Sequence, residues 1–314
     1  MAFRSGFVTI IGRPNAGKST LLNALVGEKL AIVTRKPQTT RNRIQGIINV
    51  ERTGKHPAGQ IVLIDTPGVH KPVNSLNRRM MKEVYDALEG CDLLLLIVDA
   101  TEKFGVGDQF VLDIVKKSGQ SCVLLLNKID KLEKRLLLPI IAEYKDRYNF
   151  AEVIPTSAMK RQGLDVLLNV VIEALPEGPR YFPKDQVTDQ PERFLAAELV
   201  REQVLSATEQ EVPHATTVSI DQYEESDRLT RIAATIYCER EGQKAILIGK
   251  RGATLKKIGT AARLQIERLL NAKVFLELFV KVQKDWRQSP EFLKAIDWRS
   301  MTGAELNSER AADS

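Results

Sequence analysis

Gly12-Arg13-Pro14-Asn15-Ala16-Gly17-Lys18-Ser19 is the stretch on which the fold of this chain turns. It matches G-x-x-x-x-G-K-[ST], follows a short apolar run from Phe7 to Ile11, and precedes a helix-like stripe of Leu21, Leu22, Leu25 and Val26. A glycine-framed turn between a strand and a helix is a phosphate cradle in its required setting. The glycines let the backbone approach an anion, while successive N–H groups and a helix N-terminus supply positive potential. Lys18 adds a full charge near the terminal phosphates, and the Ser19 hydroxyl suits a magnesium ion.

The bulk properties bound what else the chain can be. At 314 residues, 43% hydrophobic and 27% charged, it has an ordinary globular balance and the length of two domains. A net charge of +6 permits a polyanionic partner without requiring one. Cys91, Cys122 and Cys238 are odd in number, far apart and set in apolar segments, as reduced cytosolic thiols are. They show no metal-ligand spacing. The longest apolar run, Leu93 to Val98, is far below the roughly 18 residues of a spanning helix. The N-terminus enters a strand at once, so no signal peptide is expected and the location is cytoplasmic.

Outward from the cradle, Thr34 to Asn42 is polar, contains Pro37 and has no period, and it reads as a mobile segment. Ile44, Gly46 and Ile48 alternate with polar partners, Thr53 to Pro57 turns the chain, and Ile61 to Ile64 runs into Asp65-Thr66-Pro67-Gly68. An acid at the end of a buried strand is where a magnesium-side carboxylate belongs in a phosphate-loop protein. Helix and strand patterns then alternate: Asn74 to Leu88, Asp92 to Asp99, Val106 to Lys117, Ser121 to Leu126, Leu136 to Arg147, Glu152 to Ile154 and Leu164 to Leu175. The alternation predicts an α/β domain with a mostly parallel sheet covered on both faces, its ligand at the carboxyl ends of the strands.

Two of those ends carry base-reading candidates, Asn127-Lys128-Ile129-Asp130 and Thr156-Ser157-Ala158. A carboxylate such as Asp130 only accepts hydrogen bonds, so it suits guanine, whose ring N–H and exocyclic amine both donate from one edge. Adenine presents an acceptor there, which argues against an ATP-dependent kinase. The Lys128 stem can lie over the base, and the Ala158 N–H can donate to the guanine carbonyl.

With five nucleotide motifs in order, residues 7 to about 178 resemble a translation-factor-class GTPase, and the cradle, Thr40-Arg41 and Asp65-Thr66-Pro67-Gly68 resemble the Era family within that class. The resemblance implies that GTP or GDP sits on Gly12, Arg13, Pro14, Asn15, Ala16, Gly17, Lys18, Ser19 and Thr20. It extends the site to Asp65, Thr66, Pro67 and Gly68, and to Asn127, Lys128, Asp130, Ser157 and Ala158. Magnesium is implied at Ser19, Asp65 and Thr40, with Thr39 the neighbouring alternative. Asn15 is implied to hold a monovalent cation in place of an arginine finger, so hydrolysis should respond to potassium; a turn-forming role is its other reading. Val69 stands where Ras-like enzymes carry a water-orienting glutamine. Catalysis therefore falls to positioning, with Thr40 and Asn15 as ligands of the cations, and to charge supplied by magnesium, Lys18, potassium and loop N–H groups, Gly68 among them. His70 and Lys71 beside them read as solvated loop residues.

Pro176 to Pro183 stops the last helix and the chain stays polar to Pro191, which sets a first domain of 1–178 and a linker of 179–191. Glu192 to Thr208 reads as a helix, Val218 and Ile220 as part of one strand, Ile232 to Cys238 as another, with Glu224 to Asp227 as the turn. Ala245 to Ile248 ends at Gly249-Lys250-Arg251-Gly252, a helix runs from Thr254 to Leu270, and Val274 to Val280 closes as a strand. This order resembles a type II KH domain, assigned to 192–285. In that family the G-x-x-G loop clamps about four nucleotides of single-stranded nucleic acid. Gly249, Lys250, Arg251, Gly252, Lys256 and Lys257 are the RNA-binding candidates, in a stretch whose only acid is Glu267.

The two halves together resemble the Era family as a whole. That implies binding to the 3' end of 16S ribosomal RNA, assistance to assembly of the 30S subunit, peripheral contact with the inner membrane, and a monomeric state. An RNA-modification-associated GTPase is the alternative, and residues 192–314 show no metal cluster or second cofactor loop to support it. Residues 286–314 form a C-terminal extension: Trp286, Phe292, Leu293, Ile296 and Trp298 can cap the domain, and Glu305 to Ser314 is expected to be disordered.

Overall fold

The computed structural model describes residues 2–299 apart from Arg35, Lys55, Asp227 and Trp298. The disorder expected from Glu305 onward, and the share of Trp298 in the cap, lie outside the described residues. The main division between two compact units falls between Asp189 and Gln190.

The first unit is built on six strands: β1 (Arg4–Ile11), β2 (Ile44–Val50), β3 (Gly59–Asp65), β4 (Leu93–Asp99), β5 (Cys122–Asn127) and β6 (Glu152–Pro155). They stand in the order β2-β3-β1-β4-β5-β6, antiparallel between β2 and β3 and parallel elsewhere. Five helices connect them: α1 (Lys18–Val26), α2 (Ser75–Glu89), α3 (Val106–Ser118), α4 (Leu137–Lys145) and α5 (Leu164–Ala174). Leu94, Leu96 and Val98 of β4 join Leu124 and Leu126 of β5 in one cluster with Val84, Leu112 and Tyr144 from the helices. Their alternate neighbours Leu93, Leu95, Ile97, Val123 and Leu125 are equally buried, so the second face is covered too. Burial on both faces is why these strands read as unbroken apolar runs. Cys91, Cys122 and Cys238 are free and buried.

Part of the linker is held rather than loose. The Ile47 N–H on edge strand β2 donates to Val187 O at 2.8 Å, and Thr188 Oγ1 donates to Gln45 O at 2.6 Å. Gln60, fully buried on β3, accepts from the N–H groups of Tyr181 and Phe182 at 2.9 Å each. The segment therefore blunts a sheet edge that would otherwise present unpaired backbone groups.

The second unit contains α6 (Glu192–Ala207), β7 (Thr217–Glu224), β8 (Thr230–Cys238), α7 (Glu241–Ile248), α8 (Ala253–Leu270), β9 (Val274–Val282) and α9 (Pro290–Ala295). Its sheet runs β7-β8-β9, antiparallel then parallel, and α6 packs on α8 and β7. Trp286 is fully buried, with its indole N–H donating to Ala215 O at 2.9 Å, and Phe292 packs edge-on against Tyr237. The start of the C-terminal extension is thus folded into this unit. No helix among the described residues is long and apolar enough to cross a membrane.

Candidate nucleotide site and nucleic-acid groove

At the carboxyl end of β1 the chain turns through Gly12 to Gly17 into α1, whose N-cap Gly17 has φ 107°. A side chain there would be strained by its backbone and would collide with the Asn127 amide. The Lys18 ammonium is buried and donates to Gly12 O at 3.1 Å and Arg13 O at 2.9 Å. Arg13 pairs with Asp108 at 2.9 Å, Ala16 is buried, and Asn15 is exposed with a left-handed φ of 63°. That backbone is what a turn-forming asparagine adopts, and its side chain faces outward, so both readings of Asn15 fit. Thr20 lies half-buried in the first turn of α1.

Beside the cradle, three oxygen-bearing side chains converge. Ser19 Oγ donates to Asp65 Oδ2 at 2.6 Å and lies 2.8 Å from Thr40 Oγ1, which is 3.5 Å from the same carboxylate oxygen. Thr39 is instead used in its own turn, donating to Lys36 O at 2.7 Å. Of the two adjacent threonines it is Thr40 that the fold brings to Ser19 and Asp65. The other Asp65 oxygen, Oδ1, is buried with no hydrogen-bond partner among the described residues. An orphaned carboxylate oxygen beside two hydroxyls fits magnesium, a hard cation that binds one or two carboxylates and hydroxyl or water oxygens. Burial raises the Asp65 carboxyl to about 6, against the pull of Lys18, Ser19 and Thr40. Burial lowers the Lys18 ammonium to about 8, against the attraction of Asp65. Two charges held in so dry a place are poised for counter-charges brought by a ligand.

Residues after Asp65 are stitched to the cradle. Thr66 Oγ1 donates to Ile10 O at 2.7 Å, and the Val69 N–H donates to Gly12 O at 3.0 Å. Pro67 is buried, and a Cβ on Gly68 would stand 2.8 Å from Pro14 Cα, so only glycine allows this approach. The Val69 side chain is buried in the cluster with Ile11, Met81 and Val84. It points into the core and carries no group that could orient a water.

At the ends of β5 and β6, Asn127 works as a strut rather than an edge. Its amide donates to Ala16 O at 2.8 Å, and its Oδ1 accepts from the Ala158 N–H at 3.0 Å. A guanine carbonyl would share that N–H rather than receive it alone. Asp130 is exposed and accepts from Ser157 Oγ at 2.6 Å, which aims one edge of its carboxylate. The Lys128 ammonium is paired with Asp99 at the end of β4.

In the second unit, Gly249 (φ 72°), Arg251 (φ 51°) and Gly252 (φ 79°) make a left-handed turn that opens α8. Lys250, Arg251, Lys256 and Lys257 are exposed. The turn borders a groove of about 390 Å³ between α8 and β9, floored by Leu255, Leu276 and Leu278 and rimmed by Lys256 and Arg263. Gly259 lines it, and a Cβ there would stand 3.3 Å from Leu278. Sequence reading found the charged rim and missed the floor. A glycine within a helix costs about 1 kcal/mol against alanine, and that was the available signal.

Two family models match the chain, one described as a 50S ribosome-binding GTPase over residues 7–128 and one as a KH domain over 211–287. GTPase Era of Geobacter metallireducens is 52% identical over 298 residues, covering 94% of this chain and 98% of the relative. GTPase Era of Syntrophus aciditrophicus is 48% identical, covering 94% and 95%. Among solved structures, an Aquifex aeolicus Era bound to GDP and AlF4⁻ superposes with a TM-score of 0.89 at 38% identity, covering 94% of this chain and 99% of that one. A second, Era with MgGDPNP and nucleotides 1506–1542 of 16S ribosomal RNA, has the same TM-score and identity. Likeness on this scale runs through both units and the segment joining them, and the chain belongs to the Era family of GTPases.

Proposed function

We propose that this GTPase is a switch whose second unit holds the single-stranded 3' end of 16S ribosomal RNA and which assists assembly of the 30S subunit. What carries the reading is that each unit presents a glycine-framed, positively charged turn at a helix N-terminus, one closed and one opening on a groove. The solved Era that contains nucleotides 1506–1542 of 16S ribosomal RNA supports it.

In the first unit, Gly12 to Thr20 receive the phosphates, and the Lys18 ammonium turns from the Gly12 and Arg13 carbonyls to the terminal phosphate oxygens. Ser19, Thr40 and Asp65 hold magnesium, which supplies positive charge to the phosphate oxygens when bound. Thr66 and Gly68 bring backbone N–H groups against the terminal phosphate, with Pro67, which has no N–H, fixing the turn between them. Lys18 and those N–H groups stabilise charge that grows on that phosphate as the bond to it breaks, with no covalent step on the protein. Asn15 would hold a monovalent cation, which would supply further positive charge to offset that charge. Asn127 braces the cradle, Lys128 lies over the base, Asp130 accepts from guanine with Ser157 aiming it, and Ala158 meets the carbonyl edge. In the second unit, Gly249, Lys250, Arg251 and Gly252 grip phosphate, with Lys256 and Lys257 adding charge. The reading carries with it a cytoplasmic, monomeric protein that touches the inner membrane peripherally.

The test is Gly252→Asp, with RNA binding followed by fluorescence polarisation on a labelled 16S 3'-end oligonucleotide. Affinity should drop by at least 100-fold while GTP hydrolysis without RNA stays as in the unmodified chain. Undiminished RNA binding by that variant would remove the groove from the proposal.

A further inference from the structure

His70 lies just beyond Val69, in the stretch that sequence alone reads as solvated loop. In the fold its ring is half-buried and engaged on both sides. Nδ1 is 2.8 Å from Gly68 O, and Nε2 is 3.1 Å from the side-chain amide nitrogen of Gln38. A carbonyl oxygen can only accept, so Nδ1 carries the ring proton. Nε2 then offers a lone pair, and the Gln38 amide donates to it.

Both anchors matter. Gly68 is fixed from the cradle side, pressed on Pro14 and followed by the Val69 N–H bond to Gly12 O. Gln38 stands two residues before Thr40 and has a left-handed φ of 60°, an uncommon conformation for a side-chain-bearing residue. That turn directs the Gln38 side chain at His70 and leaves Thr40 within 2.8 Å of Ser19.

We propose that His70 is a positioning residue for GTP hydrolysis: through Gln38 it latches the segment carrying Thr40 onto the cradle side of the site. The proposal rests on the assignment of Thr40 to the magnesium site made above. With Val69 buried, the chain has no water-orienting side chain at that position, so the placement of Thr40 decides how often the site is assembled. The latch acts on the triphosphate state through Thr40 and leaves contacts of the cradle and of Asp130 untouched.

The experiment is single-turnover hydrolysis and nucleotide affinity for Gln38→Ala, His70→Ala, their double variant, His70→Gln, His70→Asn and Thr40→Ala. His70→Ala and Gln38→Ala should each lower the rate about fivefold, equivalent to about 1 kcal/mol at 1.36 kcal/mol per tenfold. The double variant should lose no more than either single one, because both break the same bond. GDP affinity should be unchanged in all three. A glutamine at 70 sets a carbonyl oxygen where Nε2 lies and should keep the rate, whereas the shorter asparagine cannot reach Gln38 and should lose it. Additive losses, equal behaviour of the Gln and Asn variants, or a parallel fall in GDP affinity would overturn the latch. Thr40→Ala separates the two levels. Normal hydrolysis in that variant overturns the assignment of Thr40 and the latch with it, whereas a slow Thr40→Ala beside a normal His70→Ala overturns the latch alone.

Discussion

Asp65→Asn should make the first unit more stable in the absence of ligand while destroying its ability to hold metal. Asp65 is fully buried, and burial lifts its carboxyl from 3.8 to about 6 even with Lys18, Ser19 and Thr40 nearby. At 1.36 kcal/mol per pH unit, keeping that group ionised at neutral pH costs on the order of 3 kcal/mol. An asparagine removes the charge and keeps an oxygen for the Ser19 hydroxyl, but it buries N–H donors where Oδ1 stood, at about 1 to 2 kcal/mol. The balance is about 1 to 2 kcal/mol in favour of the variant, or about 4 °C in the melting of a unit this size. Both tryptophans, Trp286 and Trp298, follow residue 190, so fluorescence follows the second unit and far-ultraviolet circular dichroism follows both. In EDTA at pH 7.5 the dichroism transition of the first unit should rise and the fluorescence transition should stay in place.

The pH dependence gives the sign independently. The folded value of Asp65 lies above its unfolded value, so the native state holds this proton more tightly, and the penalty disappears as pH falls from about 6 toward 3.8. The advantage of the variant should shrink over that window. With saturating magnesium and GTP the order should invert, because the unmodified chain gains about 4 kcal/mol at a thousandfold excess over Kd and the variant does not. A variant less stable than the unmodified chain in EDTA, or one whose advantage grows in acid, would refute the reasoning.

Asp130→Asn converts an acceptor-only edge into one that also donates, so GTP affinity should fall on the order of 100-fold with xanthosine triphosphate taking its place; competition binding with both nucleotides reads this. Hydrolysis should run faster in potassium than in sodium at equal ionic strength, and Asn15→Ala should erase the difference. Equal rates in the two salts would leave Asn15 as a turn residue.

Much of the architecture was legible because buried parallel strands announce themselves as apolar runs, and Asp65 and Asn127 stand at strand ends where such sheets bind ligands. Thr40 and Thr39 are adjacent and alike, and only the path of the chain from Lys36 decides which one turns inward. Gln60 and the linker escaped because the Gln60 side-chain amide joins the backbone of Tyr181 and Phe182 by hydrogen bonds, which leave no hydrophobic period. Helix α6 was legible as a helix, yet Glu198, Arg201 and Glu202 are buried along with its apolar residues. Arg201 and Glu198 neutralise each other at 2.6 Å, a pairing that spacing of three permits but does not announce. Leu276 and Leu278 alternate on β9 as core residues do, so their exposure to a groove could not be read from the pattern.

The same local device, two glycines and a lysine at a helix start, is used twice with opposite exposure, and this difference has a measurable consequence. Lys18 is 6% exposed and its ammonium is dried to about 8, so its interaction with phosphate is little screened by salt. Lys250, Arg251, Lys256 and Lys257 are exposed, and each phosphate they neutralise releases counterions from the RNA. Four contacts on a single strand give a slope of about −2.8 in log affinity against log salt. Raising salt from about 50 to 200 mM should therefore weaken RNA binding about 50-fold, and GTP binding at constant free magnesium by less than about threefold. Replacing Lys256 and Lys257 by alanine should reduce the RNA slope by about 1.4 and leave the GTP slope alone. Equal slopes for the two ligands would mean that the second turn grips RNA through its apolar groove and not through charge.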